Sequence, residues 1–480
     1  MKVSYDIDLP PAVHGLVDEL NRLIGPVYLV GGSLRRSLRG EPLSNDLDLL
    51  VDRPLAVCQQ RLKAAGFEGT AAGARTPCLI VPIRGHQKPN NIMLCTFRHR
   101  PGQPATLEEE LLHRDITQNA MAYEWPSGPL VDPFQGLQDM KAGRIRLVNG
   151  SAALAEDGLH ALRFVRFLLQ TGGTPAPDQL EACLRCTPTL VDPDRMRAEF
   201  DRLLALPLQE ESQRELFLRL FEQPLVHALL PEVRELAHHP SPCDPQQSAW
   251  SHALKTLLAL RAPPPDQEDI SLLDLRWCAL AAIMGRTGTS GIQTNAAPVT
   301  EPGNIGDLPP PPPSLLPAGE GNATCLRASP FLNRLNFTKR RQRRICAIIG
   351  QLPLKGFPGD RALKRMIRAD MPIEGLFRLY LALQTSVSGI TQEERDKWVQ
   401  EFRKAMNRCL LFKRAVTRLD PRELALSGGE ILDLVRLAPG PWLGRLQAEL
   451  VDWVSQERSR NRRDLLEQRV REWVGREAVF

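Results

Sequence analysis

Two aspartates, Asp46 and Asp48, are the side chains whose type and spacing first indicate chemistry in this chain of 480 residues. They lie in Asp46-Leu47-Asp48-Leu49-Leu50-Val51, whose polar and apolar alternation is typical of a strand. Because alternate residues of a strand project from the same face, the two carboxylates would lie side by side. Two like charges held this close favour the binding of a divalent cation.

A phosphate site is predicted just upstream of this strand. The apolar run Val27–Val30 predicts a short strand, which is followed by a turn at Gly31 and Gly32 and then by a basic helix-like segment at Leu34–Leu38. Glycine lets a backbone approach a ligand closely, and the free N–H groups of a helix N-terminus bind phosphate. The unit from residue 27 to residue 52 is therefore suited to hold a phosphate together with its metal.

The surrounding residues predict a small α/β domain that positions this unit. We expect an amphipathic helix over residues 7–24 and a second helix around residues 55–65. Apolar runs at residues 78–83 and 92–97 predict further strands. An alternation of short strands and helices is typical of an α/β domain.

The composition indicates a globular protein of several domains. The length suits roughly three domains, and 42% of the residues are hydrophobic, which is enough for buried cores. Ten scattered cysteines are too dilute for a disulfide scaffold. We expect a cytoplasmic protein without membrane contact, because no apolar run has the length of a signal-peptide core or of a membrane span.

The charge is divided unevenly along the chain. Residues 331–480 contain 30 basic and 18 acidic side chains, a net charge of +12, although the whole chain carries only +5. The basic residues occur in clusters with few aromatic neighbours, among them residues 339–344, 403–404 and 458–463. This pattern suits the phosphates of a folded RNA better than stacked single-stranded bases. An ordinary solvated basic surface is the alternative.

Five short motifs occur in a fixed order. They are GG-x-x-R at residues 31–35, D-x-D at 46–48, RD-x-T-x-NA-x-A-Y at 114–123, DPF-x-GL-x-D-x-KAG-x-IR at 132–146 and ED-x-x-x-x-LR-x-x-RF at 156–167. In this order they resemble the class II tRNA nucleotidyltransferase (CCA-adding enzyme) and bacterial poly(A) polymerase family. The resemblance is close over about residues 27–170 and looser beyond, where Arg195–Phe200 matches a neck element.

The resemblance implies an α+β fold, in which a polymerase-β-like nucleotidyltransferase head with a mixed sheet precedes an all-helical neck, body and tail. Residues 1–150 would form the head, 151–235 an RNA-binding and base-selecting neck, 236–286 a degenerate HD-like segment, 287–328 a Pro-rich flexible linker and 329–480 a basic, tRNA-binding body and tail. The HD-like segment keeps His252 but has Ala282-Ile283 in place of the metal-binding His-Asp pair, so we expect it to be structural.

The activity that the resemblance implies is Mg²⁺-dependent, template-independent nucleotidyl transfer. C and/or A from CTP or ATP would be added to the 3′ end of tRNA, held by its acceptor arm, and pyrophosphate would be released. Asp46 and Asp48 would be the catalytic residues and the Mg²⁺ ligands. The implied nucleotide-binding residues are Gly31, Gly32, Arg35, Arg114, Asp115, Asn119, Asp157, His160, Arg163 and Arg166.

Several positions depart from the family pattern. Arg36 stands where an acid is usual, Met93 where relatives often have a carboxylate, and His113 in place of an arginine. His160 replaces the arginine of ED-x-x-R, which with its acid reads the edge of the incoming base, and an imidazole cannot reproduce a guanidinium fork. With these departures, three alternative functions stay open: a poly(A) polymerase, a partial CC- or A-adding enzyme, and a catalytically impaired RNA-binding paralogue.

Two local features also have alternative interpretations. Arg98 and Arg114 are only sixteen positions apart. In relatives this interval carries a flexible loop, and it is short in family members that add only CC. It is equally well explained as neutral trimming of a surface loop. Arg114 and Asp115 could form a local ion pair instead of binding a nucleotide.

Overall fold

The computed structural model describes residues 7, 9–43, 45–73, 77–83, 89–98, 105–188, 191–241, 244–261, 270–287, 328–352, 356–369, 371–417, 421–437, 439–456 and 458–477. The chain divides into two units. The first contains residues 1–235 together with 334–336, and the second contains residues 236–333 and 337–480. Residues 288–327, which make up most of the predicted linker, lie outside the described residues.

The N-terminal part of the first unit is built on a mixed sheet. Its strands are β1 (Val27–Val30), β2 (Asp46–Val51), β3 (Thr70–Ala72), β4 (Cys78–Pro82), β5 (Asn91–Thr96), β6 (Ala122–Glu124) and β7 (Leu130–Val131). They are hydrogen-bonded in the order β3-β4-β5-β2-β1-β6-β7. β2 runs parallel to β5, and the other neighbouring pairs are antiparallel.

Five helices accompany this sheet: α1 (Pro11–Ile24), α2 (Gly31–Leu38), α3 (Leu55–Ala64), α4 (Leu107–Leu112) and α5 (Gly136–Lys141). α1 buries Val13, Val17 and Leu20, which are spaced three or four residues apart, in one core with Leu29 of β1 and Leu47 of β2. The predicted N-terminal helix and the four predicted strands of the head are thus confirmed, although the helix begins at Pro11, the second of two consecutive prolines, and not at residue 7.

Two local predictions were wrong. Gly31 and Gly32 do not form a separate turn, because α2 begins at Gly31, directly after β1. The sequence also predicts a helix over residues 155–170, but this segment is not one helix, because Asp157 is extended and separates α6 (Ala152–Glu156) from α7 (Leu159–Thr171). At the break, a Cβ on Gly158 would lie 2.2 Å from Cβ of Pro188, so this close backbone approach requires glycine.

The remainder of the first unit is mainly helical. It contains α8 (Gln179–Arg185), α9 (Pro193–Leu204), α10 (Glu211–Phe221), α11 (Pro224–Leu229) and the start of α12 (Glu232–His238). A short parallel pair, β8 (Arg144–Ile145) with β9 (Thr174–Pro175), adds two strands that the sequence did not predict. Arg334 returns to this unit and donates to both carboxylate oxygens of Glu232, at 2.6 and 2.7 Å.

The second unit is also mainly helical, and it begins with a short hairpin. Its elements are β10 (Pro240–Ser241), β11 (Asp244–Ser248), α13 (Ala249–Ala259), α14 (Leu272–Thr287), α15 (Lys339–Ile349), α16 (Asp360–Arg368), α17 (Ile373–Thr385), α18 (Gln392–Thr417), α19 (Gly428–Val435), α20 (Pro441–Gln456) and α21 (Arg463–Glu477). No described helix is both long and apolar enough to cross a membrane.

His252 of α13 is a buried, fully engaged side chain. Its Nδ1 lies 2.6 Å from Oγ of Ser241, and its Nε2 lies 2.9 Å from the carbonyl oxygen of Leu383. Ala282 and Ile283 are buried apolar residues of α14. Within the described ranges, no three His, Cys, Asp or Glu side chains are grouped as metal ligands. Both ring nitrogens of His252 thus face partners within the fold, and the structural, HD-like character of this segment stays a prediction.

Candidate active site

Asp46 and Asp48 project from the same face of β2, as the alternation predicted. Both are half-buried, whereas Leu47 and Leu49 are buried. Asp46 accepts a hydrogen bond from Nδ2 of Asn91 at 3.1 Å. Burial raises the pKa of Asp48; Arg114 opposes this shift, and the neighbouring charge of Asp46 adds to it. The Asp48 carboxylate is therefore only partly compensated by the protein, which favours a cation beside it.

The start of α2 is hydrogen-bonded to the backbone of the strand that carries these carboxylates. Ser33 Oγ donates to the carbonyl oxygen of Asp46 at 3.2 Å and accepts from the backbone N–H of Asp48 at 3.1 Å. Gly31 has a φ of +63°, and a Cβ there would lie 3.1 Å from Oδ2 of Asp48. The first glycine of GG-x-x-R thus lets the carboxylate approach the helix N-terminus. Ser33 was not predicted, and no sequence signal beyond its place inside the motif distinguishes it.

A polar cavity of about 400 Å³ lies beside Asp48 and the start of α2. Nine of the predicted site residues line it: Gly31, Gly32, Asp48, Arg114, Asp115, Asn119, Asp157, His160 and Arg163. Five residues that were not predicted as site residues also line it: Cys95, Arg98, Glu110, His113 and Arg195. Residues far apart in sequence thus converge on one space, because α2, β2, the segment after α4 and the N-terminus of α7 meet there.

Three predicted site residues, Asp46, Arg35 and Arg166, are not among the lining residues. Arg35 donates to Oδ1 of Asn119, and its guanidinium lies 5.1 Å from the ring centroid of Phe167. Burial lowers the pKa of Arg35 to about 10, so its guanidinium remains charged at neutral pH. Arg166 lies 4.4 Å from the same ring centroid and donates to Glu199 at 2.9 Å. Both arginines therefore brace the walls of the cavity.

Asp115 is the centre of a buried network. It is 3% exposed and lies 2.9 Å from Nη2 of Arg163. It also accepts from Nδ2 of Asn119 and from the backbone N–H of Ile116, each at 2.8 Å. Burial alone would raise the pKa of Asp115, but Arg163 and Asn119 outweigh burial and hold this pKa well below its ordinary value. Asp115 thus pairs with Arg163 and not with its neighbour Arg114.

The fourth motif, at residues 132–146, supports the segment that carries Arg114 and Asn119. Asp132 accepts from the backbone N–H groups of Gly136 and Leu137, at 2.7 and 2.9 Å. Gly136 packs so closely that a Cβ would lie 2.2 Å from the carbonyl oxygen of Thr117. The buried Asp139 accepts from Oγ1 of Thr117 at 2.7 Å. The motif therefore positions the site and does not line the cavity.

The N-terminus of α7 brings Asp157 and His160 to the cavity. Asp157 accepts from the backbone N–H of Leu159 at 3.1 Å and from the guanidinium of Arg195 on α9. Burial would raise the pKa of Asp157, but the hydrogen bonds from Arg195 and from the backbone N–H of Leu159, together with the charge of Arg195, outweigh burial, and this pKa is lowered. His160 is 5% exposed, and its Nδ1 lies 3.1 Å from the carbonyl oxygen of Ala153. The only sequence signal for Arg195 was its place in the neck element.

β5 adds no carboxylate beside the aspartates. Its parallel register with β2 places Asn91 next to Asp46 and Met93 next to Asp48. β5 thus contributes Asn91, a neutral hydrogen-bond partner of Asp46, beside the two carboxylates of β2.

A mixed sheet that carries paired carboxylates, a glycine-led helix and a polar cavity defines a head of the nucleotidyltransferase type. Residues 27–146 match the family model described as the poly A polymerase head domain. The chain is 32% identical over 213 residues to the CCA-adding enzyme of Geobacillus thermodenitrificans, a match that covers 41% of this chain and 50% of that protein. It is 30% identical over 276 residues to the CCA-adding enzyme of Pseudomonas entomophila, covering 54% and 67%.

The fold agrees with a solved structure, that of the Bacillus stearothermophilus CCA-adding enzyme in complex with CTP. The TM-score is 0.53 at 20% identity, and the alignment covers 98% of this chain and 99% of that one. The chain belongs to the class II tRNA nucleotidyltransferase family, which contains the CCA-adding enzymes and bacterial poly(A) polymerases. It spans about half to two thirds of the length of the curated relatives it matches.

Proposed function

We propose that the protein is a Mg²⁺-dependent, template-independent nucleotidyltransferase that adds C and/or A from CTP or ATP to the 3′ end of tRNA. The observation that carries the proposal is the single cavity in which Asp48, Arg114 and Asp157 converge. Family membership supports the same reaction, and one of its solved relatives is described as bound to CTP. With tRNA as substrate, the protein would act in the cytoplasm.

The donor set suits a divalent metal, which nucleotidyltransferases of this family generally use. Asp46 and Asp48 offer two carboxylates on one strand face. Mg²⁺ is usually bound through one or two carboxylates, with water and substrate phosphates as its other ligands. When bound, the ion stabilises charge on the attacking 3′-oxygen and the leaving pyrophosphate. We therefore assign Asp46 and Asp48 as the residues that hold Mg²⁺.

The triphosphate is assigned to the N–H groups at the start of α2 and to Arg114. Arg114 Nη1 lies 3.4 Å from the Cβ position of Gly31, so the guanidinium borders the glycine pair. The Arg114 side chain also lines the cavity, so its guanidinium is placed to donate to a phosphate oxygen. Asn119, held by Arg35 and Asp115, is placed to contact the sugar or a phosphate.

Asp157 and His160 are assigned to base selection, and the neighbouring arginines of α7 are assigned to maintaining the site. Arg163 lies 2.9 Å from Asp115 and 3.7 Å from Glu199, while Arg166 donates to Glu199. Both guanidinium groups are thus engaged with buried carboxylates. They orient α7 so that Asp157 faces the cavity.

The second unit is proposed to hold the tRNA through phosphate contacts. On α15, Lys339, Arg340 and Arg343 are exposed and form no ion pair with any described residue. The opposite side of this helix is fixed, because Arg341 donates to Asp274 at 2.7 Å and Ile345 is buried. A fixed row of unpaired cations suits the acceptor arm of a tRNA. The predicted domain limits at residues 150, 235, 286 and 328 stay part of this proposal.

The test is nucleotide addition by the full chain. The protein is incubated with Mg²⁺ and tRNA that lacks its CCA end, with CTP and ATP singly and together, and the products are resolved at single-nucleotide resolution. Three added nucleotides support CCA addition, one or two support a partial CC- or A-adding enzyme, and a long A tail identifies a poly(A) polymerase. No addition at any Mg²⁺ concentration would leave only the RNA-binding paralogue.

The Asp46→Asn and Asp48→Asn variants test the assigned metal ligands. Each keeps the shape of the side chain and removes its charge, and we expect at least about a 1,000-fold loss of the addition rate. Asp52→Asn is the matched control, because Asp52 is an exposed carboxylate just after the same strand. Full activity of the Asp46→Asn and Asp48→Asn variants would show that the metal lies elsewhere.

A further inference from the structure

We propose that Arg195 and Asp157 together read the Watson–Crick edge of the incoming base. Arg195 would donate to the ring nitrogen, and Asp157 would accept from the exocyclic amino group. The inference rests on the proposed nucleotide addition, and it adds a specificity-determining residue from α9 to the site. The guanidinium of Arg195 and the carboxylate of Asp157 are paired, and both residues line the cavity.

The other arginines that line the cavity are engaged elsewhere. Arg163 lies 2.9 Å from Asp115, and Arg98 lies 3.8 Å from the buried Glu110. Arg114 lies beside Gly31 and acts electrostatically on Asp48. Among the lining residues, Arg195 is therefore the guanidinium that adjoins Asp157, and 40% of its side chain is exposed. That exposure leaves donors free for a ligand.

His160 cannot supply the same pair of donors. Its imidazole has two nitrogens, and Nδ1 already faces the carbonyl oxygen of Ala153 at 3.1 Å. One remaining ring nitrogen cannot form a bidentate contact, whereas a guanidinium presents five N–H groups in a planar fork. Arg195 of α9 therefore supplies the paired N–H donors that His160 of α7 cannot provide.

The backbone that carries Arg195 is fixed at both sides. Asp192 caps α9 by accepting from the backbone N–H of Arg195 at 2.9 Å. Arg197, two residues on, donates to the carbonyl oxygens of Leu335 and Asn336. On the inner face of the helix, Met196 and Phe200 are buried. A side chain that starts from such a fixed backbone loses little freedom when it binds a base.

The pairing chemistry separates C and A from U and G. Cytosine and adenine present an amino donor next to a ring-nitrogen acceptor, which matches a carboxylate next to a guanidinium. Uracil and guanine present a carbonyl acceptor next to a ring N–H. The carboxylate acceptor would then face the carbonyl acceptor, and the guanidinium donor would face the ring N–H donor. A site built for one hydrogen-bond pattern strongly rejects the reversed pattern, because its polar groups are left unpaired.

The experiment measures kcat/KM for CTP and for 3-deaza-CTP, which lacks the ring-nitrogen acceptor, with wild type and Arg195→Gln. We expect 3-deaza-CTP to lower the wild-type value about 10- to 100-fold, the range of one charged hydrogen bond. Arg195→Gln should lower the CTP value similarly and should remove any further penalty for 3-deaza-CTP. Arg202→Gln is the matched control, on the same helix with 59% of its side chain exposed.

A role confined to positioning Asp157 gives a different result. Arg195→Gln would then weaken incorporation, but the full 3-deaza penalty would persist, and this outcome would overturn the inference. If the wild type adds no nucleotide, equilibrium binding of CTP and UTP replaces the rate measurement. A wild-type preference for CTP that Arg195→Gln abolishes would support the inference although the proposed transfer had failed, and a preference unchanged in Arg195→Gln would refute it.

Discussion

Arginine side chains around the cavity of the first unit differ from those on α15 of the second unit in burial and in ion pairing. Arg163, which lines the cavity, and Arg166, which lies behind its wall, are paired with the buried carboxylates of Asp115 and Glu199. On α15, Arg340 and Arg343 are exposed and form no ion pair with described residues. Burial makes a charge costly unless it is paired, whereas an exposed charge costs little and is free to meet a ligand. Burial and ion pairing, more than residue type, therefore distinguish arginines that support the fold from arginines that are available to bind a ligand.

The second unit contains the same contrast in a weaker form. Arg463, at the start of α21, lies 2.7 Å from Glu430 and 3.1 Å from Glu467. The positive charge that Arg463 was predicted to offer to tRNA is thus offset by these two glutamates. Lys404 likewise lies 2.8 Å from Glu401. Of the basic clusters seen in the sequence, the one on α15 therefore offers more uncompensated charge than these two.

The largest expected effect comes from breaking the buried pair in the first unit. Asp115→Asn leaves Arg163 without its closest carboxylate, although Glu199 remains 3.7 Å away. We expect a loss of about 3 kcal/mol in the free energy of unfolding at neutral pH. The measurement is native-state hydrogen exchange of the amides in β1 and β2, with Asp52→Asn as an exposed-carboxylate control. A loss no greater than that of the control would contradict the buried-pair account.

The pH dependence of this loss follows from the lowered pKa of Asp115. A carboxyl whose folded-state pKa lies below its unfolded value stabilises the fold above the unfolded pKa, which is about 3.9 for aspartate. This stabilisation is lost as the pH falls through the folded-state pKa. The difference between wild type and Asp115→Asn should therefore be full at pH 6 to 7 and should shrink below about pH 4. A difference that stays constant down to about pH 3 would refute the assignment.

Gly31→Ala tests the close approach of Asp48 to α2 and should have an intermediate effect. The new Cβ would adopt a positive φ and lie 3.1 Å from Oδ2 of Asp48. We expect a destabilisation of about 1–2 kcal/mol together with a reduced addition rate. Gly15→Ala is the control, because a Cβ there meets nothing within 4 Å. Equal thermal stability of the two variants would argue against the strain.

Removing the unpaired charges of α15 should affect RNA binding but not folding. We expect Lys339→Gln, Arg340→Gln and Arg343→Gln together to weaken tRNA binding about tenfold or more at physiological salt. The slope of log affinity against log salt should fall by about two to three, since each lost phosphate contact removes about one. Filter binding across a salt series measures both. An unchanged slope would mean that these side chains do not contact phosphates.

Arg463→Gln should have the smallest effect. Because Glu430 and Glu467 already neutralise this guanidinium, its loss removes little potential from the surface. The same salt series should show less than about a twofold change in tRNA affinity. A loss of affinity as large as that of the α15 triple variant would show that local ion pairs do not prevent a basic side chain from binding tRNA. The contrast drawn between α15 and Arg463 would then be wrong.

Much of the head could be predicted from local pattern. Alternation in β2 correctly placed Asp46 and Asp48 on one face, and the spacing of Val13, Val17 and Leu20 correctly predicted α1. The break at Asp157 could not be predicted, because it depends on the packing of Gly158 against Pro188, thirty residues away. For the same reason β8 and β9 were missed: each is only two residues long and is stabilised by its distant partner.

By itself the sequence determined the family, the order of the motifs and the carboxylate pair, since these depend on residue type and on spacing within a few residues. The tertiary structure decided what each charged group does. It joined Asp115 to Arg163, placed Arg35 on Asn119 and brought Arg195 to Asp157. Such pairings link residues from 38 to 84 positions apart, and no local pattern encodes them because they arise only when helices and strands pack together.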